Sequence, residues 1–198
     1  MNKTTIEYYN DNAELYSSST YEVDFTQTQE RFARYLKSGS KILDFGCGAG
    51  RDTKYFLEKG YCVDAIDGSK ELCEIASNNI GIEVKHQLFQ ELTDIEKYDG
   101  IWACASILHL SFQELKDVMK KICIALRQNG FLYTSFKYSE FEGMRNGRYF
   151  NDMTEDKLEK LLTEIKVFEI KECWITTDVR PGRDDEKWLN LILQKKLI

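Results

Sequence analysis

The sequence predicts a three-layer α/β protein built on a mostly parallel sheet, and three observations carry that reading. From residue 41 onward short apolar runs alternate with amphipathic helical stripes, the pattern of strands joined by crossover helices. The last two runs, at 167–175 and 187–195, are joined by roughly eleven residues with no helical stripe, which favours an antiparallel hairpin at one edge. Finally, 198 residues with 42% hydrophobic and 30% charged side chains suit one globular domain over 1–198, large enough for its own core.

The elements follow in order. Ile6, Tyr9, Ala13 and Tyr16 fall at helical spacing, and Phe25, Phe32 and Leu36 make a second stripe ending before Gly39, so residues 1–40 read as two helices ahead of a 41–198 core. Lys41 to Phe45 is a buried strand, and Arg51 to Lys59 a helix stopped by Gly60. Tyr61 to Ile66 is the second strand, after which Ser69 caps a helix with Leu72, Ile75 and Ala76 on its inner face. Strands are expected at 82–86 and 100–104. Leu115, Val118, Met119, Ile122 and Leu126 mark a helix from about Ser111, followed by a turn at Asn129-Gly130 and a strand at 131–136. Thr154 caps the last helix, with Leu158, Leu161, Leu162 and Ile165 inside. With the two final strands, this makes seven. In such a sheet ligands bind outside the carboxyl ends of the strands, so function is sought in the loops that follow them.

The first such loop is Asp44-Phe45-Gly46-Cys47-Gly48-Ala49-Gly50-Arg51. Glycines let a strand turn sharply into a helix and let a ligand approach bare backbone, and the helix start adds a partial positive end. Asp67 ends the next strand 23 residues after Asp44, where an acid can take two ribose hydroxyls. A dinucleotide fingerprint requires glycine where Arg51 stands, and there is no phosphate loop ending in Gly-Lys-Ser/Thr. Asp44 beside the loop suits a sulfonium or ammonium better than a pyrophosphate. The bland alternative is a plain tight turn, with Asp67 an ordinary solvated strand end.

The run Ile42 to Gly50 resembles the first motif of class I S-adenosylmethionine-dependent methyltransferases, and Ala65-Ile66-Asp67-Gly68-Ser69 resembles the second. Tyr98 to His109 is similar to the fourth-strand motif, and Leu126-Arg127-Gln128-Asn129-Gly130 to the turn into strand five, departing at Gln128 and Asn129. The opening Tyr8-Tyr9 through Ala13 to Tyr16 is similar to that of small bacterial enzymes of the tellurite-resistance type. The resemblance implies a Rossmann-like seven-stranded sheet with one antiparallel strand, and S-adenosyl-L-methionine as cofactor. It implies the loop of Gly46, Cys47, Gly48 and Gly50 against the methionyl part and Asp67 on the ribose, with Asp44, Gly68 and Ser69 also among the cofactor-binding residues. Phe89 and Gln90 fall on the adenine side, and Cys104 lines the methionine. Tyr16 closes over the cofactor from N-terminal helices that cover the cleft. For Tyr16 and Phe89 plain core packing is the competing reading.

A sulfonium already activates its methyl, so the protein mainly aligns an acceptor and excludes water. His109 after strand four, and Tyr138 after strand five, are the catalytic candidates; the alternative for His109 is packing beside the next helix. Lys137, Arg145 and Arg148 after strand five and Arg180 before the last strand are the acceptor-side candidates. If these cations converge, an anionic acceptor follows; the interleaved Glu140, Glu142, Asp178, Asp184 and Asp185 instead favour a solvated mixed-charge surface. The expected acceptor is a small molecule: an anion, a thiol or a chalcogen.

Composition narrows the field. Lys plus Arg is 27 against 33 Asp plus Glu, a net charge of -6, which opposes salt-driven binding to nucleic acid. The chain has one proline, so it has neither the Pro-Pro motif of amino-methylating DNA enzymes nor a Pro-Cys nucleophile. An RNA-modifying enzyme is the second reading, to be recognised by a continuous positive surface, and a non-catalytic cofactor-binding subunit the third. Two histidines and six scattered cysteines predict no metal site and no disulfide framework. No apolar run reaches membrane length, and Met1 to Glu7 lacks an apolar leader segment, so the expectation is a cytoplasmic protein with reduced cysteines.

Overall fold

In the computed structural model, which describes residues 3–196, seven strands make one sheet. Met1 and Asn2, where the leader was sought, lie outside the described residues, as do Leu197 and Ile198. The strand order is β3 (Lys85–His86), β2 (Cys62–Asp67), β1 (Lys41–Phe45), β4 (Tyr98–Ala103), β5 (Leu126–Lys137), β9 (Lys187–Lys195), β8 (Phe168–Thr177). Neighbours from β3 to β5 pair in parallel, whereas β9 runs antiparallel to both β5 and β8. The β8–β9 hairpin thus closes one edge, as the short connection between the two runs requires.

Both faces of the sheet are covered. On one, α3 (Thr26–Ala33) and α4 (Arg51–Glu58) pack Phe32 and Phe56 against Ile42, Trp102 and Tyr133. Trp102 stacks on Tyr133 with ring centroids 4.0 Å apart. On the other, α6 (Phe112–Ala125) and α7 (Glu155–Ile165) bury Leu115, Val118, Met119, Ile122, Leu158 and Leu161 against Leu43, Ile101 and Ala103. The alternation of Ile101, Trp102 and Ala103 between the faces is the period of two of a strand. Helix starts behave as read: Ser69, Ser111 and Thr154 accept from the amides of Leu72, Glu114 and Lys157. No helix among the described residues is long and apolar enough to cross a membrane.

The N-terminal region differs from the two-helix expectation. It holds α1 (Lys3–Asp11), α2 (Ala13–Thr20) and the short α3. The break falls at Asn12, whose side-chain amide donates to the Tyr8 carbonyl and competes with the helix ladder. The strand expected at 82–86 shrinks to β3, because Gly81 ends α5 (Lys70–Ile80) in a left-handed conformation and the Val84 amide donates to Ser77 Oγ. The expected turn at Asn129-Gly130 survives as an irregularity inside β5, with Asn129 at φ +61°. The segment after β5, expected as loop, contains a hairpin of β6 (Glu142–Arg145) and β7 (Arg148–Asn151). Its two-residue turn Asn146-Gly147 has φ +50° and +76°, the left-handed pair that Asn-Gly supplies in a type I′ hairpin.

Candidate active site

A cleft of about 1020 Å³ of empty space, partly open to solvent, runs along the carboxyl ends of the parallel strands, and a second hollow of about 360 Å³ adjoins it. Its floor comes from the loop after β1, the turn Cys104-Ala105 after β4, and Ser135 and Lys137 of β5. The β8–β9 loop and β7 form the far wall, while Tyr9 of α1 and Tyr16 of α2 close it from above.

The glycine loop is held tightly. Gly46, Gly48 and Gly50 have φ of +88°, +57° and +91°, a region that side chains disfavour. The amides of Gly46 and Cys47 donate to the Ile66 carbonyl, fixing the loop against β2. Asp67 accepts from the Gly48 amide at 2.9 Å and from the Ser69 amide at 2.8 Å, one bond on each oxygen, leaving lone pairs toward the adjoining hollow. Burial pushes its carboxyl up to about 6, against those amide bonds. Tyr16 lies directly over Gly48, and Phe89 both packs on Phe45 and lines the hollow, so each serves core and site together.

Arg51 opens α4 and faces the cleft. Its guanidinium makes a two-pronged pair with Asp52, 2.8 and 2.9 Å, and lies over the Phe25 ring. Asp52 also accepts from Gln29 Nε2 at 2.7 Å and Trp102 Nε1 at 2.8 Å. Burial disfavours its charge, but Arg51 and these donors hold its carboxyl below the usual range. Burial also pushes up the thiols of Cys47 and, to about 12, of Cys104, so neither is a thiolate nucleophile at neutral pH.

His109 sits at the end of a short 3₁₀ turn, 3% exposed. A carbonyl can only accept, so Nδ1–H donates to Tyr149 O at 2.6 Å; Nε2 then accepts from the Tyr9 hydroxyl at 2.8 Å. Burial lowers its pKa to about 4. The neutral form is therefore built into the fold, and native-state stability is lost as pH falls from about 6.5 toward 4. Comparing urea unfolding of the parent with His109→Gln should show the parent losing up to about 3 kcal/mol more across that window. Asp67 acts in the opposite sense, its raised pKa adding stability as pH falls from about 6 toward the ordinary carboxylate range, and cancels in that comparison.

A family model for a methyltransferase domain matches residues 42–130. An uncharacterized methyltransferase from Anoxybacillus flavithermus is 28% identical over 186 residues, 85% of this chain and 87% of its own. Among solved structures, the 1,6-didemethyltoxoflavin-N1-methyltransferase of Burkholderia thailandensis, with S-adenosylhomocysteine bound, superposes with a TM-score of 0.77. It is 22% identical and covers 97% of this chain and 85% of its own. Residues 42–130 thus match a methyltransferase domain, and the whole chain shares the fold of these methyltransferases. TehB from Haemophilus influenzae, at 17% identity and TM-score 0.70 over 93% of this chain and 67% of its own, shares the fold.

Most sequence-predicted site residues gather at the cleft and hollow: Tyr16, Gly46, Cys47, Gly48, Asp67, Gly68, Phe89, Cys104, His109, Lys137, Arg148 and Arg180. Six do not. Asp44 is buried beneath the loop and accepts from Thr53 Oγ1 at 2.6 Å. Gly50 abuts Ile80, and Ser69 spends its hydroxyl on capping α5. Gln90 turns away to donate to Glu114 of α6. The Tyr138 hydroxyl donates to Glu155 of α7, and Arg145 is clamped by Asp152, so neither, expected as catalytic and acceptor-side, lines the cleft. Tyr9 and Arg51 line the cleft without having been expected; Arg51's position directly after Gly50 was the available signal, and Tyr9 stood on the same stripe as Tyr16.

Proposed function

We propose that this methyltransferase holds S-adenosylmethionine along the glycine loop, with the ribose on Asp67, and delivers the methyl to a small acceptor on the far side of the cleft. The observation that carries this reading is continuity. Tyr9, Tyr16, Gly46, Ala105 and His109 line both the Asp67 hollow and the larger cleft, so a molecule seated against Asp67 meets one seated against β7 at that junction. The residues fit the group. Asp67 keeps free lone pairs, Gly48 offers no Cβ, and Arg51 presents a cation where the loop enters α4.

The bound cofactor supplies an activated methyl. What the chain adds is alignment and dryness. Tyr9 and Tyr16 form a roof whose rings meet edge to face at 5.2 Å, and Ala105 is held at φ +49° by its amide bond to Ser135 Oγ. His109, neutral and with both nitrogens engaged, orients the Tyr9 hydroxyl rather than serving as a base, which suits an acceptor already nucleophilic. A small acceptor is favoured over RNA because Arg51, Lys137, Arg180 and Arg183 are each paired with a carboxylate instead of forming a positive strip.

Calorimetry with S-adenosylmethionine tests the assignment. Asp67→Ala should weaken binding by about 1–3 kcal/mol, the scale of a lost charged hydrogen bond, with Asp67→Asn intermediate. Unchanged affinity in both variants would remove Asp67 from the site.

A further inference from the structure

Of the cations that line the cleft, Arg148 alone among the described residues lacks a carboxylate partner. Arg51 is paired with Asp52, Arg180 with Asp178, and Lys137 and Arg183 with Glu186. Arg148 instead lies 4.5 Å over the Tyr8 ring and 5.2 Å from Phe150, with one Nη1 contact of 3.5 Å to the Tyr9 hydroxyl. Its Nε is buried with no hydrogen-bond partner. Aromatic faces offset part of a guanidinium's lost hydration, but a charge in such surroundings calls for an anion, and Arg offers its donors to a carboxylate as a planar fork. Tyr9 and Phe150 line the cleft beside it, and Phe25 and Trp188 continue the aromatic lining farther along, next to Arg51 and Lys137.

Resting on the cofactor assignment above, we propose that Arg148 receives the acid group of the methyl acceptor, which is an aromatic carboxylate. Arg148 stands on β7, across the cleft from the loop at 46–50 and Arg51, so the two cations divide the work: Arg51 belongs to the cofactor's side and Arg148 to the acceptor's. The Asn146-Gly147 hairpin places Arg148 against α1, and the Tyr149 amide donates to Thr5 Oγ1 at 2.9 Å. The guanidinium is thus held before any acceptor arrives.

The test is calorimetric titration of benzoate, benzamide and inorganic phosphate into the protein loaded with S-adenosylhomocysteine. Benzoate should bind in the millimolar range, benzamide should not, and phosphate should bind more weakly than benzoate. Arg148→Gln should weaken benzoate at least tenfold while leaving S-adenosylhomocysteine affinity unchanged, and Arg148→Lys should recover part of the loss. A purely structural role in stacking on Tyr8 would show as a lowered melting temperature in Arg148→Gln with no preference for benzoate over benzamide in the parent. The proposal is overturned by no benzoate heat up to about 10 mM, by equal binding of benzamide, by tighter binding of phosphate, or by an Arg148→Gln protein that binds benzoate as the parent does. Failure of S-adenosylhomocysteine to bind would count against the cofactor assignment instead, and benzoate titrated into the unloaded protein still decides the role of Arg148.

Discussion

Asp52→Ala should lower unfolding stability by about 3–5 kcal/mol, the loss seen when one partner of a buried ion pair is removed. Asp52 is 7% exposed and accepts from three elements at once: Gln29 of α3, Arg51 of its own helix and Trp102 of β4. Truncation leaves the Arg51 guanidinium without its counter-charge and strips the Trp102 and Gln29 donors of their acceptor, each a desolvation cost with no return. Because Gln29 ties α3 to the sheet through this carboxylate, α3 should loosen first, seen as faster amide exchange there than in α6. Urea unfolding followed by circular dichroism measures the effect. Replacing both partners, Asp52→Leu with Arg51→Met, should recover much of the stability while impairing cofactor binding, since the charge pair is costly to bury and Arg51 faces the cleft. A loss under about 1 kcal/mol in the single variant would mean that the pair is effectively solvated.

Gly46→Ala should cost about 2–5 kcal/mol, combining a left-handed residue with an overfilled contact, and should abolish cofactor binding. At φ +88° an added Cβ would stand 2.5 Å from Ser106 Cβ and 3.0 Å from the Phe89 ring. Ser106 cannot retreat freely, because its hydroxyl donates to the Phe45 carbonyl at 2.6 Å. The strain therefore passes to the end of β1 and to the turn after β4, both of which line the cleft. Gly81→Ala is the control: its φ is +72°, but nothing lies within 4 Å of the new Cβ, so only the backbone penalty of about 1–2 kcal/mol applies. Thermal melting of both variants, with S-adenosylhomocysteine titrations on whatever remains folded, separates the two costs. Equal losses would show that the contact with Ser106 is without consequence.

What could be read from the chain was what local sequence decides. The loop at 46–50 is legible because left-handed turns require glycine, and Asp67 because its distance from Asp44 is one strand-helix-strand unit. Ser69, Ser111 and Thr154 could be assigned as caps because a cap bonds within its own first turn. The misplacements have the opposite origin. Gln90 and Tyr138 stand in the right loops, but their directions are set by Glu114 and Glu155, 24 and 17 residues away. Asp52 looks like any acid in a helix's first turn; its importance comes from Trp102, 50 residues on. The β6–β7 hairpin was legible from Asn146-Gly147, yet its strands carry few apolar residues, and the loop reading overlooked the turn.

The central claim is that the glycine loop and Asp67 together seat the adenosyl group. A crystal structure with S-adenosylhomocysteine bound decides it most directly. The expected result places both ribose hydroxyls within hydrogen-bond reach of the Asp67 carboxylate and the amino-acid portion alongside Gly46 and Cys47. The compound bound elsewhere on the molecule, or its ribose turned away from Asp67, would contradict the account.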